Sequence, residues 1–222
     1  MYLDTANIEE IKEGLRVGIF KGVTTNPTIL KKENRKREEQ IKDILGLGVK
    51  ELFVQVLGET SDEMFEDYLK IKDIEHRNMD IVSGSKIAIK VPLTIAGLET
   101  VKRIKKDERT RIVLGTAIYS ADQGILGAIA GCDYLAPYYN RMQNNSVDSD
   151  LEISKMRMFI DDRNLNTKIV AASFKNAGQV VNSLMNGAHT CTIPLDIAKA
   201  MADKDAALNA LRVFNEDGKV CE

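Results

Sequence analysis

Short runs rich in β-branched and apolar residues alternate along the chain with segments whose apolar residues recur every three or four positions. The first pattern is typical of buried strands and the second of amphipathic helices. Helical patterns include Ile8-Ile11-Leu15 and Leu98-Val101-Ile104. We predict eight strands, at 2–3, 22–25, 51–57, 86–91, 111–116, 133–138, 167–173 and 189–193. Strands therefore alternate with helices throughout the chain.

The joints between helix and strand share a glycine. Gly18, Gly48, Gly131 and Gly187 each lie shortly before a predicted strand, where the end of a helix often needs a positive φ. With 222 residues over eight strands, each unit takes about 28 residues, close to the roughly 30 of a strand and its crossover helix. The sequence thus predicts an α/β fold, a (β/α)8 TIM barrel. A doubly wound open sheet, which usually has fewer strands, is the alternative.

We expect one domain over residues 1–222, with a C-terminal helical arm from about residue 195 to residue 222. The arm either reaches over a neighbouring subunit or lies on its own barrel. Two further segments, 31–39 and 75–85, are dense in charged or polar residues and are predicted to be solvated surface.

The composition narrows the class of partner. The 31 Lys and Arg nearly balance the 33 Asp and Glu, and no basic stripe offers sequence-independent binding to a phosphate backbone. Two histidines and three cysteines leave few ligands for zinc. The odd number of scattered cysteines indicates a reduced, cytoplasmic protein. No apolar run reaches the roughly 18 residues of a membrane helix. We expect a small-molecule partner, with no nucleic acid and no membrane.

In a barrel of this kind the active site lies at the carboxyl ends of the strands. Polar side chains cluster at the predicted strand ends, while the eighth strand ends in Ile193-Pro194 and contributes little. The strand-end residues are Asp4, Thr24, Thr25, Asn26, Gln55, Lys90, Thr116, Tyr138, Asn140, Arg141, Ser173 and Lys175.

Lys90 is the principal candidate for catalysis. Strand alternation puts Ala88 and Lys90 on one face and Ile87, Ile89 and Val91 on the other. The branched residues then face the helices, and Lys90 points into the barrel. An ammonium group that loses hydration has a lowered pKa and a larger neutral, nucleophilic fraction, which Schiff-base chemistry requires.

Four other side chains could move protons during an aldol cleavage: Asp4, Gln55, Thr116 and Tyr138. Each also has a structural alternative. Asp4 can cap the first helix, Gln55 can fill a polar layer, and Tyr138 can belong to the core. Lys90 itself can extend to water or pair with Asp4. The common position of these residues at strand ends favours the catalytic interpretation.

Arg141, Ser173 and Lys175 follow the sixth and seventh predicted strands, near the place where many barrels bind phosphate. Guanidinium, hydroxyl and ammonium groups around one point form a phosphate site. The alternative for Arg141 and Lys175 is simple surface placement.

Six motifs together resemble the transaldolase family of class I aldolases: Asp4, Gly22-Val23-Thr24-Thr25-Asn26-Pro27, Ile89-Lys90-Val91-Pro92, Leu114-Gly115-Thr116-Ala117, Ala136-Pro137-Tyr138 and Ala172-Ser173-Phe174-Lys175. The resemblance implies a barrel in which Lys90 forms a Schiff base with a ketose and Asp4 assists proton transfer. It also implies that Thr24 and Asn26 contact the donor sugar, and that Arg141, Ser173 and Lys175 hold its phosphate.

Two positions indicate a branch of this family. Transaldolases proper carry Glu and Phe where this chain has Gln55 and Tyr138, whereas the fructose-6-phosphate aldolase branch, of short transaldolase-like proteins, carries Gln and Tyr. In that branch Gln55, Thr116 and Tyr138 would hold the catalytic water. The resemblance also implies an enzyme without metal or cofactor and a homo-oligomer, a decamer of two pentamers in which the C-terminal helix crosses to a neighbour.

The expected reaction is cleavage of fructose 6-phosphate, a sugar phosphate, to dihydroxyacetone and glyceraldehyde 3-phosphate through a Schiff base on Lys90. The alternative is transaldolase activity, which transfers the dihydroxyacetone unit between sugar phosphates of the pentose phosphate pathway. Two further classes stay open at this point: an enzyme that holds pyridoxal phosphate on Lys90, and a non-catalytic sugar-phosphate binding protein on the same scaffold.

Overall fold

The computed structural model describes residues 1–78 and 84–220. Its strands are β1 Tyr2–Asp4, β2 Gly22–Thr24, β3 Glu51–Gln55, β4 Lys86–Pro92, β5 Val113–Ile118, β6 Tyr134–Pro137, β7 Lys168–Ala171 and β8 Thr190–Ile193. Its helices are α1 Ile8–Val17, α2 Pro27–Lys32, α3 Arg37–Gly46, α4 Ser61–Arg77, α5 Ile95–Asp107, α6 Ala121–Ala130, α7 Tyr139–Asn144, α8 Ser149–Asp162, α9 Ala177–Met185, α10 Leu195–Ala202 and α11 Asp205–Gly218.

The eight strands form a closed parallel barrel in chain order, because β8 pairs with β1 as well as with β7. Closure confirms the predicted (β/α)8 barrel and shows that the open-sheet alternative is wrong. Within the described ranges, most strands are followed by one helix, but three are followed by a pair: α2 and α3 follow β2, α7 and α8 follow β6, and α10 and α11 follow β8. Among the described residues, no helix has the length and apolar character needed to cross a membrane.

Alternation along the strands divides the core into two layers. The outward-facing residues Ile87, Ile89 and Val91 belong to the large cluster that the strands form with the helices. Ala88, on the inward face of the same strand, belongs to a smaller cluster inside the barrel. The predicted orientation of β4 is therefore confirmed, and Lys90 shares the inward face with Ala88.

Aromatic side chains fill the amino-terminal end of the barrel interior. Tyr2, Phe53 and Tyr134 pack edge to face, with ring centroids 5.1 to 6.3 Å apart. The Tyr2 hydroxyl donates a hydrogen bond of 2.6 Å to the Glu51 carboxylate. This packing forms an apolar floor beneath the inward-facing polar groups at the other end.

The glycines predicted at the helix-to-strand joints all have positive φ: 78° at Gly18, 76° at Gly48, 96° at Gly131 and 110° at Gly187. At Gly18 and Gly131 the residue caps its helix in the left-handed conformation. These joints are therefore formed as the sequence pattern predicted, because glycine adopts this conformation without a Cβ clash.

Part of the predicted surface segment 75–85 is helical, since α4 continues through Arg77. Glu75 lies 2.7 Å from the buried Arg111 and also accepts from the Ile87 amide, so this residue is not solvated surface as predicted. Residues 79–83 of that segment lie outside the described residues. The C-terminal stretch contains α10 and α11, and the assignment of residues 1–222 to one domain with an arm stays a prediction.

Candidate active site

Lys90 lies on β4 with its side chain inside the barrel, and only 4% of the residue is exposed. It pairs in register with Gln55 on β3 and with Leu114 on β5. Burial lowers the pKa of Lys90 from the ordinary lysine value, and the negative charge of Asp4 partly opposes that shift. The side chain is therefore more easily deprotonated than a lysine in water.

Asp4 ends β1 and faces the same interior. It accepts a hydrogen bond of 2.7 Å from Thr24 Oγ1. Burial raises the pKa of Asp4, while Lys90, the Thr24 hydroxyl and Lys32 act in the opposite direction. The structural alternative for Asp4 is wrong, because Asn7 caps α1 by accepting from two backbone amides of its first turn.

The two ionisable groups of the interior influence each other. Burial penalises the ammonium form of Lys90 and the carboxylate form of Asp4, while each charge stabilises the other. Burial brings the charged pair and the neutral pair closer in free energy than they are in water, and the mutual attraction of the two charges offsets only part of this change. The arrangement can therefore supply a neutral amine and an acid that gives up or takes back a proton.

A second polar group lies on the neighbouring strands. Thr116 ends the inward face of β5, is fully buried, and donates a hydrogen bond of 3.0 Å to the Tyr138 hydroxyl. Tyr138 follows β6 directly, and burial raises its pKa, so the phenol stays protonated at neutral pH. Gln55 ends β3 beside Lys90, and its side chain makes no hydrogen bond to the other described residues.

The candidate phosphate residues lie at the mouth of the barrel. Arg141 is exposed on α7, and its guanidinium stacks 4.8 Å from the centroid of the Tyr138 ring. Ser173 follows β7 with φ of 64°, and its carbonyl accepts from the Asn140 amide at 2.9 Å. Lys175 is exposed on the same loop. The backbone contact thus ties the start of α7 to the loop that carries Ser173 and Lys175.

The candidate donor-contacting residues have local roles as well. Thr24 is fully buried on β2, with its hydroxyl already bonded to Asp4. Asn26 is the N-cap of α2 and accepts from the Ile29 amide at 3.0 Å. That bond uses the side-chain oxygen of Asn26 and leaves its NH2 group able to donate to a ligand.

Two residues at the site were missed by the sequence analysis. Thr192, on β8, lies 2.6 Å from Thr24 Oγ1, and since Thr24 donates to Asp4, Thr192 donates to Thr24. The expectation that the eighth strand contributes little was therefore wrong, although alternation back from Ile193 could have found this residue. Tyr119 packs edge to face on Tyr138 and accepts from Arg141 at 3.3 Å.

Nearly the whole chain is similar to known proteins. Residues 1–220 match the model of the family described as Transaldolase/Fructose-6-phosphate aldolase. The chain belongs to this family. A protein of Streptococcus pneumoniae (strain ATCC 700669 / Spain 23F-1), described as a probable fructose-6-phosphate aldolase, is 38% identical over 219 residues, which cover 97% of this chain and 94% of that protein. The family assignment confirms the resemblance drawn from the six motifs.

A solved structure of a protein with a different sequence supports the assignment of the barrel fold. A mandelate oxidase mutant, solved with an FMN adduct, superimposes with a TM-score of 0.58 at 13% identity, over 91% of this chain and 66% of that one. At this identity the likeness concerns the fold alone. In the ranges 1–78 and 84–220, no three His, Cys, Asp or Glu side chains lie together in a way that could hold a metal ion.

The burial of Lys90 predicts a pH-dependent effect on stability. Because the pKa of Lys90 is lower in the folded chain than in the unfolded chain, the unfolded chain binds more protons between those two values. The free energy of unfolding of the wild type therefore rises with pH in that window. We expect Lys90→Met to have a larger free energy of unfolding than the wild type near pH 8, and we expect this difference to disappear toward about pH 10. Urea unfolding at a series of pH values measures it.

Lys86→Met is the matched control. Lys86 lies on the same side of β4 as Lys90 but at the exposed start of the strand. It corrects for the loss of one positive charge from the chain. An advantage of Lys90→Met that stays constant over this pH range would contradict the prediction.

Proposed function

We propose that this protein is a Schiff-base aldolase that needs no metal and cleaves fructose 6-phosphate to dihydroxyacetone and glyceraldehyde 3-phosphate. The observation that carries the proposal is the buried Lys90 inside the barrel, next to Asp4 and between strand ends that present polar groups. Membership of the family supports it. The similar S. pneumoniae protein, described as a probable fructose-6-phosphate aldolase, supports the choice of sugar.

Lys90 Nζ attacks the keto carbon of the sugar, and loss of water gives an iminium. Removal of the proton from the C4 hydroxyl then breaks the C3–C4 bond, releases glyceraldehyde 3-phosphate and leaves an enamine on Lys90. Protonation of the enamine at C3 and hydrolysis release dihydroxyacetone and return the free amine. The lowered pKa of Lys90 favours the first step, because only the neutral amine is nucleophilic.

Asp4 carries out the proton transfers together with a water molecule that is bound by Gln55, Thr116 and Tyr138. The raised pKa of Asp4 makes it a usable acid and base beside the amine. The hydrogen bond from Thr116 fixes the Tyr138 hydroxyl, which leaves the phenol proton free to point toward such a water. Gln55 sits next to Lys90 in the register and supplies an uncharged amide.

The remaining candidates would hold the substrate. Thr24 and Asn26 contact the donor part, with Asn26 using its free NH2 group. Arg141, Ser173 and Lys175 bind the phosphate at the mouth, where the guanidinium is already oriented by Tyr138. Placement of the phosphate at the rim puts the keto end of the sugar in the interior with Lys90.

Transaldolase activity is the second candidate, because the family model covers both reactions. Gln55 and Tyr138 favour the aldolase. We expect fructose 6-phosphate alone to yield free dihydroxyacetone, measured by enzymatic coupling, with little further turnover on adding erythrose 4-phosphate. Transfer of the unit to erythrose 4-phosphate without release of dihydroxyacetone would identify a transaldolase instead.

Trapping of the covalent intermediate tests the role of Lys90. Borohydride reduction in the presence of fructose 6-phosphate should leave a stable adduct on the peptide that contains Lys90, identified by mass spectrometry. Lys90→Ala should form no adduct and should lose activity by about a thousandfold or more, because the amine is the nucleophile.

Lys86→Ala provides the control, since it removes another lysine from the same strand at its exposed end. It should keep both the adduct and the activity. An adduct on a different lysine, or full activity in Lys90→Ala, would overturn the assignment.

We also propose that the protein is a homo-oligomer in which α11 packs on a neighbouring copy, as in the decamer of two pentamers that the family resemblance implies. α11 contains no buried residue, and Leu211 and Phe214 are 54% and 69% exposed. A single helix of this length is marginally stable in water unless its apolar face is covered. We place the protein in the cytoplasm, supported by the free, buried thiols of Cys132 and Cys191.

The oligomer can be tested with one charge placed on either face of α11. Phe214→Asp places a carboxylate on the apolar face and should lower the molecular mass measured by size-exclusion chromatography with light scattering. Asn209→Asp adds the same charge near the opposite face and should leave the mass unchanged. A monomeric wild type, or an unchanged mass for Phe214→Asp, would contradict the proposal.

A further inference from the structure

Two loops at the mouth of the barrel share one arrangement. Ala117 lies near the end of β5, where the register with β6 shifts, and has φ of 55°, and the loop after β7 contains Ser173 with φ of 64°. Six residues beyond each lies a glutamine, Gln123 in α6 and Gln179 in α9, and each is the third residue of its helix. Left-handed conformations cost free energy in residues that carry a Cβ, so each loop needs contacts that hold it.

Gln123 uses its whole amide group to hold the first loop. Its Oε1 accepts from the Tyr119 amide at 2.9 Å, and its Nε2 donates to the carbonyls of Leu93 and Ala117 at 2.7 and 3.0 Å. Leu93 follows the end of β4, whereas Ala117 and Tyr119 belong to the end of β5 and its loop. One side chain therefore fixes two neighbouring strand ends relative to each other.

Those strand ends carry groups of the candidate active site. Leu93 lies three residues beyond Lys90, and Ala117 directly follows Thr116, which bonds to Tyr138. Tyr119 packs on the same Tyr138, with ring centroids 5.8 Å apart. A shift of the Gln123 contacts would thus move Thr116 and Tyr138 relative to Lys90.

Gln179 holds the second loop in the same way, but toward different groups. Its Oε1 accepts from the Lys175 amide at 2.8 Å, and its Nε2 donates to Asn140 Oδ1 at 3.0 Å and Gln143 Oε1 at 2.8 Å. Asn140 and Gln143 flank Arg141 on α7. Gln179 therefore ties the Lys175 loop to the helix that presents Arg141.

We propose that Gln123 and Gln179 are positioning residues for separate halves of the site: Gln123 aligns the proton-transfer groups with Lys90, and Gln179 sets the spacing of the phosphate-binding groups. This inference rests on the proposed function. Because the two glutamines contact different loops, their loss should affect different kinetic constants. Loss of Gln123 acts on kcat, and loss of Gln179 acts on KM for the phosphorylated sugar.

The simpler role for both residues is stabilisation of a helix start. Glu63 has only that structural role. It is the third residue of α4 and accepts hydrogen bonds from the amides of Glu59 and Thr60. The loop that it holds contains no candidate site residue. Glu63→Ala is therefore a matched control. It should lower Tm while leaving kcat and KM unchanged.

The test measures steady-state cleavage of fructose 6-phosphate by Gln123→Leu and Gln179→Leu. Gln123→Leu should lower kcat by about 10- to 100-fold with little change in KM. Gln179→Leu should raise KM by about tenfold with little change in kcat. Borohydride should trap as much dihydroxyacetone on Lys90 in Gln179→Leu as in the wild type, because dihydroxyacetone has no phosphate.

Gln123→Glu is a second variant of nearly equal volume. It keeps an acceptor for the Tyr119 amide but places a carboxylate oxygen against the carbonyls of Leu93 and Ala117, so kcat should fall as in Gln123→Leu. Full activity in Gln123→Glu would overturn the role of those two bonds, even if Gln123→Leu fails to fold.

The remaining outcomes separate the two proposals. Changes in kcat and KM that simply follow Tm, as in a purely structural role, would overturn the positioning inference, and so would unchanged kinetics in both leucine variants. Those results require an active wild type. A wild type that releases no dihydroxyacetone and traps no adduct overturns the proposed function, and the inference with it.

Discussion

Burial of one ammonium group inside a closed sheet is the constraint on which the rest of this structure depends. β4 lies between two paired strands, and its alternation turns Lys90 inward above Ala88. The aromatic floor of Tyr2, Phe53 and Tyr134 fills the end of the barrel beneath it. The lysine is therefore held where hydration is poor, and its pKa falls.

The polar groups around this lysine form two separate hydrogen-bonded sets. On one side Thr192, Thr24 and Asp4 form a chain across β8, β2 and β1. On the other side Thr116 holds the hydroxyl of Tyr138. The first set contains an acid whose proton affinity depends on the lysine charge, and the second contains hydroxyls suited to binding water. Opposite sides of the interior can thus serve different proton transfers.

Helix capping decides which polar residues near the strand ends stay available. Asn7 caps α1, so Asp4 is free to face the interior. Asn26 and Asn176 cap α2 and α9 with their side-chain oxygens. Gln123 and Gln179 lie outside the barrel interior and hold the end of β5 and the loop after β7, where Ala117 and Ser173 have left-handed conformations. Residues outside the barrel interior therefore hold the backbone that carries the candidate site residues.

Local patterns in the sequence determined the strand count, the inward direction of Lys90 and the glycines with positive φ, because period-two alternation and backbone freedom are properties of short segments. They also contained the motifs of the family. The pairing of β8 with β1, and with it the contact between Thr192 and Thr24, was decided only by tertiary structure, since these residues lie 168 positions apart. The meeting of Tyr119 with Arg141 likewise depended on how the closed barrel places its loops. Such contacts arise from closure of the whole sheet, and no local pattern encodes them.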